Sequence, residues 1–205
     1  MIDRALEDVA SMDAKQIALR GLASGDYDVG LAPANVKHLR KMRDKFVALH
    51  PELASISESA LAPPESIADC ENGITFSHSL EQTFDFYDHL IAGIGAEFVS
   101  HVMEIGSGCG RLIRVLKLAG RATHFTLVDL PQSLVFAFAF LRLNFPDAAL
   151  KVIGSRADIY SGMERDFDFI FCPIQFLAAL RPESVDLLVL EGGEEITLKV
   201  EVENK

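Results

Sequence analysis

Apolar positions along the chain follow two rhythms, and the change between them falls near residue 100. In the first part they recur at helical spacing: Ile2, Leu6, Val9 and Met12, then, after a Gly/Asp-rich break from Gly25 to Gly30, Val36, Leu39, Met42, Phe46 and Leu49. Each set falls on one face of a helix, which predicts one helix near the start and a second over Pro33–His50. Between Pro51 and Asp69 the chain is rich in Ser, Ala and Pro, with Pro63-Pro64 as its stiffest point, and reads as a linker. Ile74–Phe76 predicts a short strand, and Ser77 or Ser79 a cap for a helix whose buried face is Leu80, Phe84, Tyr87, Leu90, Ile91 and Ile94. Residues 1–69 are therefore expected to form a helical extension with its linker, and residues 70–205 the fold proper.

Beyond that point short, unbroken apolar runs take over: Val102–Ile105, Phe125–Val128, Phe167–Cys172 and Val185–Leu190, with Leu150–Ile153 as a shorter fifth. Unbroken runs suit strands covered on both faces. Arg111–Leu118 and Gln132–Leu143 lie between them as helices, and this alternation predicts an α/β fold with a Rossmann-like sheet. Gly154–Arg165 reads as a polar loop, and Thr197–Val202 as an exposed edge strand whose Lys and Glu side chains suit that place. There is no internal repeat.

The junction of the first run with the first helix carries the candidate chemistry. Gly106, Gly108 and Gly110 follow Val102–Ile105 directly and run straight into the helix at Arg111. Without a Cβ the backbone adopts positive φ, a ligand can lie on the main chain, and the helix offers its unpaired N–H groups. The second run ends in Asp129, about twenty residues beyond the glycines, where a doubly wound sheet brings a carboxylate beside the first turn to accept from ribose hydroxyls.

Composition narrows the range of ligands. The chain has 205 residues, about half of them apolar, and a net charge of -11, which argues against a nucleic-acid or anionic-membrane surface and for a small-molecule or neutral substrate. Against that background Lys37, Arg40, Lys41, Arg43 and Lys45 make the second helix strongly basic; this is either a solvated face or a contact for a substrate phosphate or a partner. Cys70, Cys109 and Cys172 have neither zinc-ligand spacing nor the pattern of a disulfide framework. Charged residues Asp3, Arg4, Glu7 and Asp8 break any signal sequence, and Leu134–Leu141 is too short to span a bilayer, so a cytoplasmic location is expected. His78 and His89 flank the helix after the first short strand; His78, in the approach to that helix, is the better candidate base.

Arg111 stands where the dinucleotide fingerprint would have its third glycine. Instead Glu104-Ile-Gly106-Ser-Gly108-Cys-Gly110 resembles motif I of class I S-adenosylmethionine-dependent methyltransferases, and Val128-Asp129-Leu-Pro131 resembles their acidic second-strand end. The wording of both is more specifically similar to a bacterial group of sugar O-methyltransferases, over residues 100–190, and that resemblance implies a glycan acceptor. The resemblance implies that Glu104 holds the methionine amino end directly or through water, that the glycines pass under the cofactor, that Asp129 binds the ribose and that Leu130 flanks the adenine. It also nominates Cys172–Ile174 for the adenine pocket and the end of Val185–Leu190 for the side facing the methyl. Cys109 reads as a small turn filler rather than a nucleophile.

The resemblance weakens after residue 190. Where that group carries a polar Asn and Ser and then Glu-Met, this chain has Leu190-Glu191-Gly192-Gly193, and only four or five core strands can be counted where the class has about seven. An incomplete sheet is expected, either in a chain that keeps only a cofactor half-site or in a homo-oligomer that completes the site from a second copy. The sequence does not identify the general base; Glu191 is a candidate by position alone. A non-catalytic nucleotide-binding or interaction protein is the competing reading, and a nicotinamide-dependent oxidoreductase, opposed by Arg111, a third.

Overall fold

In the computed structural model the chain is described over residues 36–59, 67–95, 98–160, 166–180, 185–192 and 195–199. The predicted first helix, Pro63-Pro64 and residues 200–202 of the predicted edge strand lie outside these. Helix α1 (Val36–Leu49) buries Leu39 and Phe46 from the expected stripe. A 3-10 turn at Pro51–Ser55 follows, then the short antiparallel pair β1 (Ile67–Asp69) and β2 (Thr75–Ser77). Helix α2 (His78–Ile94) begins directly at β2, and of the two candidate caps it uses Ser77, whose Oγ accepts from Leu80 N at 3.0 Å.

The remainder alternates strand and helix: β3 (His101–Ile105), α3 (Arg111–Leu118), β4 (His124–Asp129), α4 (Pro131–Asn144), β5 (Leu150–Val152), α5 (Arg156–Tyr160) and β6 (Phe169–Pro173). A 3-10 turn at Ile174–Ala179 leads on to β7 (Leu187–Gly192) and β8 (Glu195–Lys199). The sheet order is β5-β6-β4-β3-β7-β8. The first five strands are parallel, and β8 pairs antiparallel with β7 at the edge. The molecule is thus an α/β protein with a five-stranded parallel sheet flanked by helices, an arrangement compatible with a Rossmann-like fold. The predicted edge strand is present in the antiparallel position and begins at Glu195, ahead of the expected Thr197.

Period-two alternation divides the strands between two cores. Val102, Phe125, Leu127, Phe169, Phe171, Leu187 and Val189 face the larger core, which they share with α2, α3 and α4. Met103, Val128, Ile170, Cys172 and Leu188 face a smaller one, closed by Ile153, Ile159, Phe176, Leu177 and Leu180. Phe125 and Phe169 stack across β4 and β6 at 5.6 Å, and Phe138 of α4 meets Phe171 at 5.2 Å. Such aromatic pairs contribute beyond their buried area.

The structure departs from two expectations. Within the predicted polar loop, Asp158 Oδ2 accepts from Gly154 N, Ser155 N and Ser155 Oγ at 3.0, 2.7 and 3.0 Å, which starts the short helix α5. The segment read as a linker is tied down over much of its length. Leu53 and Ile56 enter the larger core beside Leu39, Phe46, Phe84 and Tyr87, so α1 shares its buried contacts with α2. Glu58 N donates to Thr75 O at 2.8 Å and Arg114 Nη2 to Ser57 O at 2.8 Å.

Candidate functional site

Strand β3 leads to β4 and then β6 on one side, while β7 returns to the other side of β3. The connections reverse at the C-terminal end of β3, the position where open parallel sheets leave a crevice for ligands. The glycine turn fills that position. Gly106, Gly108 and Gly110 have φ of 84°, 52° and 78°, all in the region that L side chains avoid. At Gly110 space is a second constraint: a Cβ would meet Leu127 Cδ2 at 3.1 Å and Leu141 Cδ1 at 3.2 Å. At Gly108 nothing lies within 4 Å, so that glycine faces open space and only its backbone angle excludes a side chain.

Asp129 and the turn meet directly. Gly108 N donates to Asp129 Oδ2 at 2.8 Å, and Leu130 N to Oδ1 at 2.6 Å. Gly106 N donates to Val128 O at 2.9 Å, and Gly110 N to Ser107 O at 2.8 Å. Each carboxylate oxygen keeps acceptor capacity beyond one N–H bond, so Asp129 can still receive hydroxyl donors while it holds the turn. Ser107 is buried, and its Oγ meets no hydrogen-bond partner among the described residues. A buried hydroxyl of this kind within the turn is a ready group for a ligand or a water.

The other nominated residues are placed as follows. Glu104 is fully buried in β3, between Leu127 and Val189 in register, and its charge is felt at the Cys109 thiol. Burial pushes the Cys109 thiol up, against the pull of Arg111, which keeps it protonated and suits the turn-filler reading. Leu130 is 57 % exposed just past β4, and Ile174 is 36 % exposed just past β6. Asp129 and Pro173 are register partners, so these two apolar side chains follow neighbouring strand ends on one rim. Cys172 does not share that rim: it is buried in the smaller core, and burial pushes its thiol up to about 12. The side chain of Glu191 lies outside the described residues.

His78 is oriented by a carboxylate, its Nδ1 lying 2.7 Å from Glu81 Oε2, while His38 Nε2 of α1 lies 2.8 Å from Glu81 Oε1. His89 is exposed and bonds to the Asp85 carbonyl at 2.8 Å, a local helix contact. Among the described residues, no group of three or more His, Cys, Asp or Glu is placed to hold a metal ion, and no helix is long and apolar enough to cross a membrane.

Sequence reasoning missed Glu58. Its carboxylate is wholly buried and accepts from Arg111 Nη1 at 3.0 and 3.3 Å, from Ser59 N at 2.7 Å and from the Ser77 hydroxyl. Arg111, the first residue of α3, also lies over the Phe140 ring at 5.7 Å. Arg114 joins the same network, donating to Asn144 Oδ1 at 2.7 Å, and burial lowers its guanidinium's pKa. The residue that breaks the dinucleotide fingerprint is thus the point where residues 57–59 are fastened to the helix leaving the glycine turn.

Comparison of the chain with family models, with curated proteins and with solved structures finds no match to any of them. The fold and the turn define the molecule only as an α/β protein with a five-stranded parallel sheet and a glycine-rich turn at its switch point.

Proposed function

We propose that the chain binds S-adenosylmethionine at Gly106–Gly110 and acts as an O-methyltransferase, with a sugar hydroxyl as the acceptor. One observation supports this most: three positive-φ glycines close β3 at the switch point, and the carboxylate ending the next strand, Asp129, is hydrogen-bonded to the middle one. A ribose diol suits the acceptor capacity left on Asp129, and an adenine suits the apolar rim of Leu130 and Ile174. Glu104, fully buried in β3 next to the turn, is proposed to hold the methionine amino end directly or through water.

When bound, S-adenosylmethionine supplies an electrophilic methyl group. The chain's own task is then alignment of a hydroxyl and removal of its proton. Among the described imidazoles, His78 is the candidate proton acceptor, since Glu81 holds Nδ1 and Nε2 has no partner among the described residues. The cytoplasm, where the cofactor is made and used, is the proposed location.

A second reading, a cofactor-binding or interaction protein without catalysis, is favoured by β7. Its C-terminal end turns at once into a hairpin, and β8 lies antiparallel on the edge where a further parallel strand would add. Calorimetry with S-adenosylmethionine, S-adenosylhomocysteine and NAD separates the readings. Binding of the first two without NAD is expected; no binding of either sinks the methyltransferase proposal. Binding with no turnover on any glycan supports the second reading.

A further inference from the structure

Helix α1 carries a charge pattern that its own stability does not call for. Lys37, Lys41 and Lys45 stand at four-residue spacing along one exposed ridge, which spans about 12 Å at the α-helical rise. Like charges at this spacing repel and weaken a helix. None of these lysines, nor Arg40 or Arg43, has a carboxylate partner within ion-pair distance among the described residues. In a chain of net charge -11, five cations between residues 37 and 45 form a local reversal of sign.

Beside the ridge lies a groove of about 510 Å³ lined by Arg40, Arg43, Asp44, Asp69, Cys70 and Glu71. Arg40 and Asp44 line the groove three residues on from Lys37 and Lys41, so the groove adjoins the ridge on the same helix. Both arginines are partly held in place. Arg40 Nε donates to Asp69 O at 2.9 Å and Arg43 Nη2 to Ala54 O at 2.8 Å, which leaves their other N–H groups to bind. Arg43 Nε is buried without a hydrogen-bond partner among the described residues. The volume is that of a small-ligand site. Carboxylates and guanidinium forks around one groove match a group that both donates and accepts along its length, which is the chemistry of a polyol. The lysine ridge matches the phosphate attached to it.

We propose that this groove and ridge form a binding site for a phosphorylated sugar, with the phosphate on Lys37, Lys41 and Arg40 and the hydroxyls on Asp44, Asp69 and Glu71. The site is separate from the glycine turn and does not rest on the methyltransferase reading. A small ligand suits it better than an extended polyanion. The exposed positions of α1 are Lys, His, Arg, Asp and Ala, with Leu49 at its end as the one large aliphatic side chain, which leaves no aromatic to stack on a base and a single apolar residue to enter a bilayer. The net negative charge of the whole molecule also repels a large anionic surface, while a ligand within about a Debye length senses mainly the ridge.

The test is titration of the full chain by calorimetry with glucose 1-phosphate, inorganic phosphate and glucose, and with phosphatidylserine vesicles and a single-stranded oligonucleotide as competitors. Glucose 1-phosphate is expected to bind more tightly than either of its parts. Lys37→Gln with Lys41→Gln is expected to weaken it about tenfold, with a thermal midpoint no lower than that of the parent, and added salt to weaken binding to the parent. Asp44→Asn with Glu71→Gln is expected to weaken glucose 1-phosphate and to leave inorganic phosphate no weaker. No binding at about 10 mM, an excess over a millimolar Kd, overturns the proposal. So does equal affinity for phosphate and glucose 1-phosphate, full affinity in the lysine variant, or tighter binding of the vesicle or oligonucleotide.

Discussion

Gly108 and Gly110 sit two residues apart with similar backbone angles, yet their surroundings separate them. Gly108→Ala adds only the backbone strain of a left-handed residue, about 1–2 kcal/mol. Gly110→Ala adds that strain and a methyl group 3.1 Å from Leu127 and 3.2 Å from Leu141, so it is expected to cost about 3 kcal/mol or more in urea unfolding. Equal losses in the two variants would mean that packing against Gly110 is not what constrains it. Asp129→Ala removes the acceptor for Gly108 N and for the proposed ribose. Affinity for S-adenosylhomocysteine is expected to fall at least tenfold by calorimetry, the scale of a lost charge-assisted pair. Undiminished affinity would remove Asp129 from the site.

At the scale of elements, what could be read from the chain followed how local each signal was. Strands β3 and β4 and helix α3 emerge as expected because their runs and spacing lie within a few residues, and Ser77 caps α2 for the same reason. Helix α5 is just as local in origin: Ser155-x-x-Asp158 has the spacing of a capping box, and those two residues bond to each other. The turn and its acid could be foreseen because the βαβ unit obliges them to meet. Glu58 could not, since its bond to Arg111 spans 53 residues and no periodicity encodes it. Breaking a buried ion pair from one side leaves the other charge stranded, so Glu58→Ala is expected to lose about 3–5 kcal/mol in denaturant unfolding. A loss below about 1 kcal/mol would place the pair with ordinary surface contacts.

At the scale of the whole molecule, pH acts from both ends through contacts far apart in the chain. Tyr87 O–H donates to Glu52 Oε1 at 2.6 Å and accepts from Arg121 Nε at 2.7 Å. Burial and the Glu52 bond push the Tyr87 phenol above its ordinary value of 10.0. Its contribution is therefore complete below pH 10 and is lost as the pH rises further. Asp168 moves the other way: burial would raise it, but the bonds from Lys117 at 2.6 Å and from Ala149 N hold it below its ordinary 3.8. Its contribution is present above that pH and fades as acid carries the solution below it. Thermal midpoints followed across pH should show both flanks. Tyr87→Phe should flatten the alkaline one and Asp168→Asn the acid one, and a variant that leaves its flank unchanged would dismiss that group. The same long-range ties mean that a chain cut at residue 70 would bare Phe76, Phe84 and Tyr87, which pack against Leu39, Phe46, Leu53 and Ile56.

Asp129 clamps Gly108 and Leu130 through its own carboxylate, so the loop proposed to receive the cofactor is tied to the end of β4 by the protein itself. Binding there has little chain to order and should proceed without the large unfavourable entropy and heat-capacity change that accompany folding on contact. Association would then be limited by encounter rather than by rearrangement, and selectivity would come from the speed with which an ill-fitting guest departs.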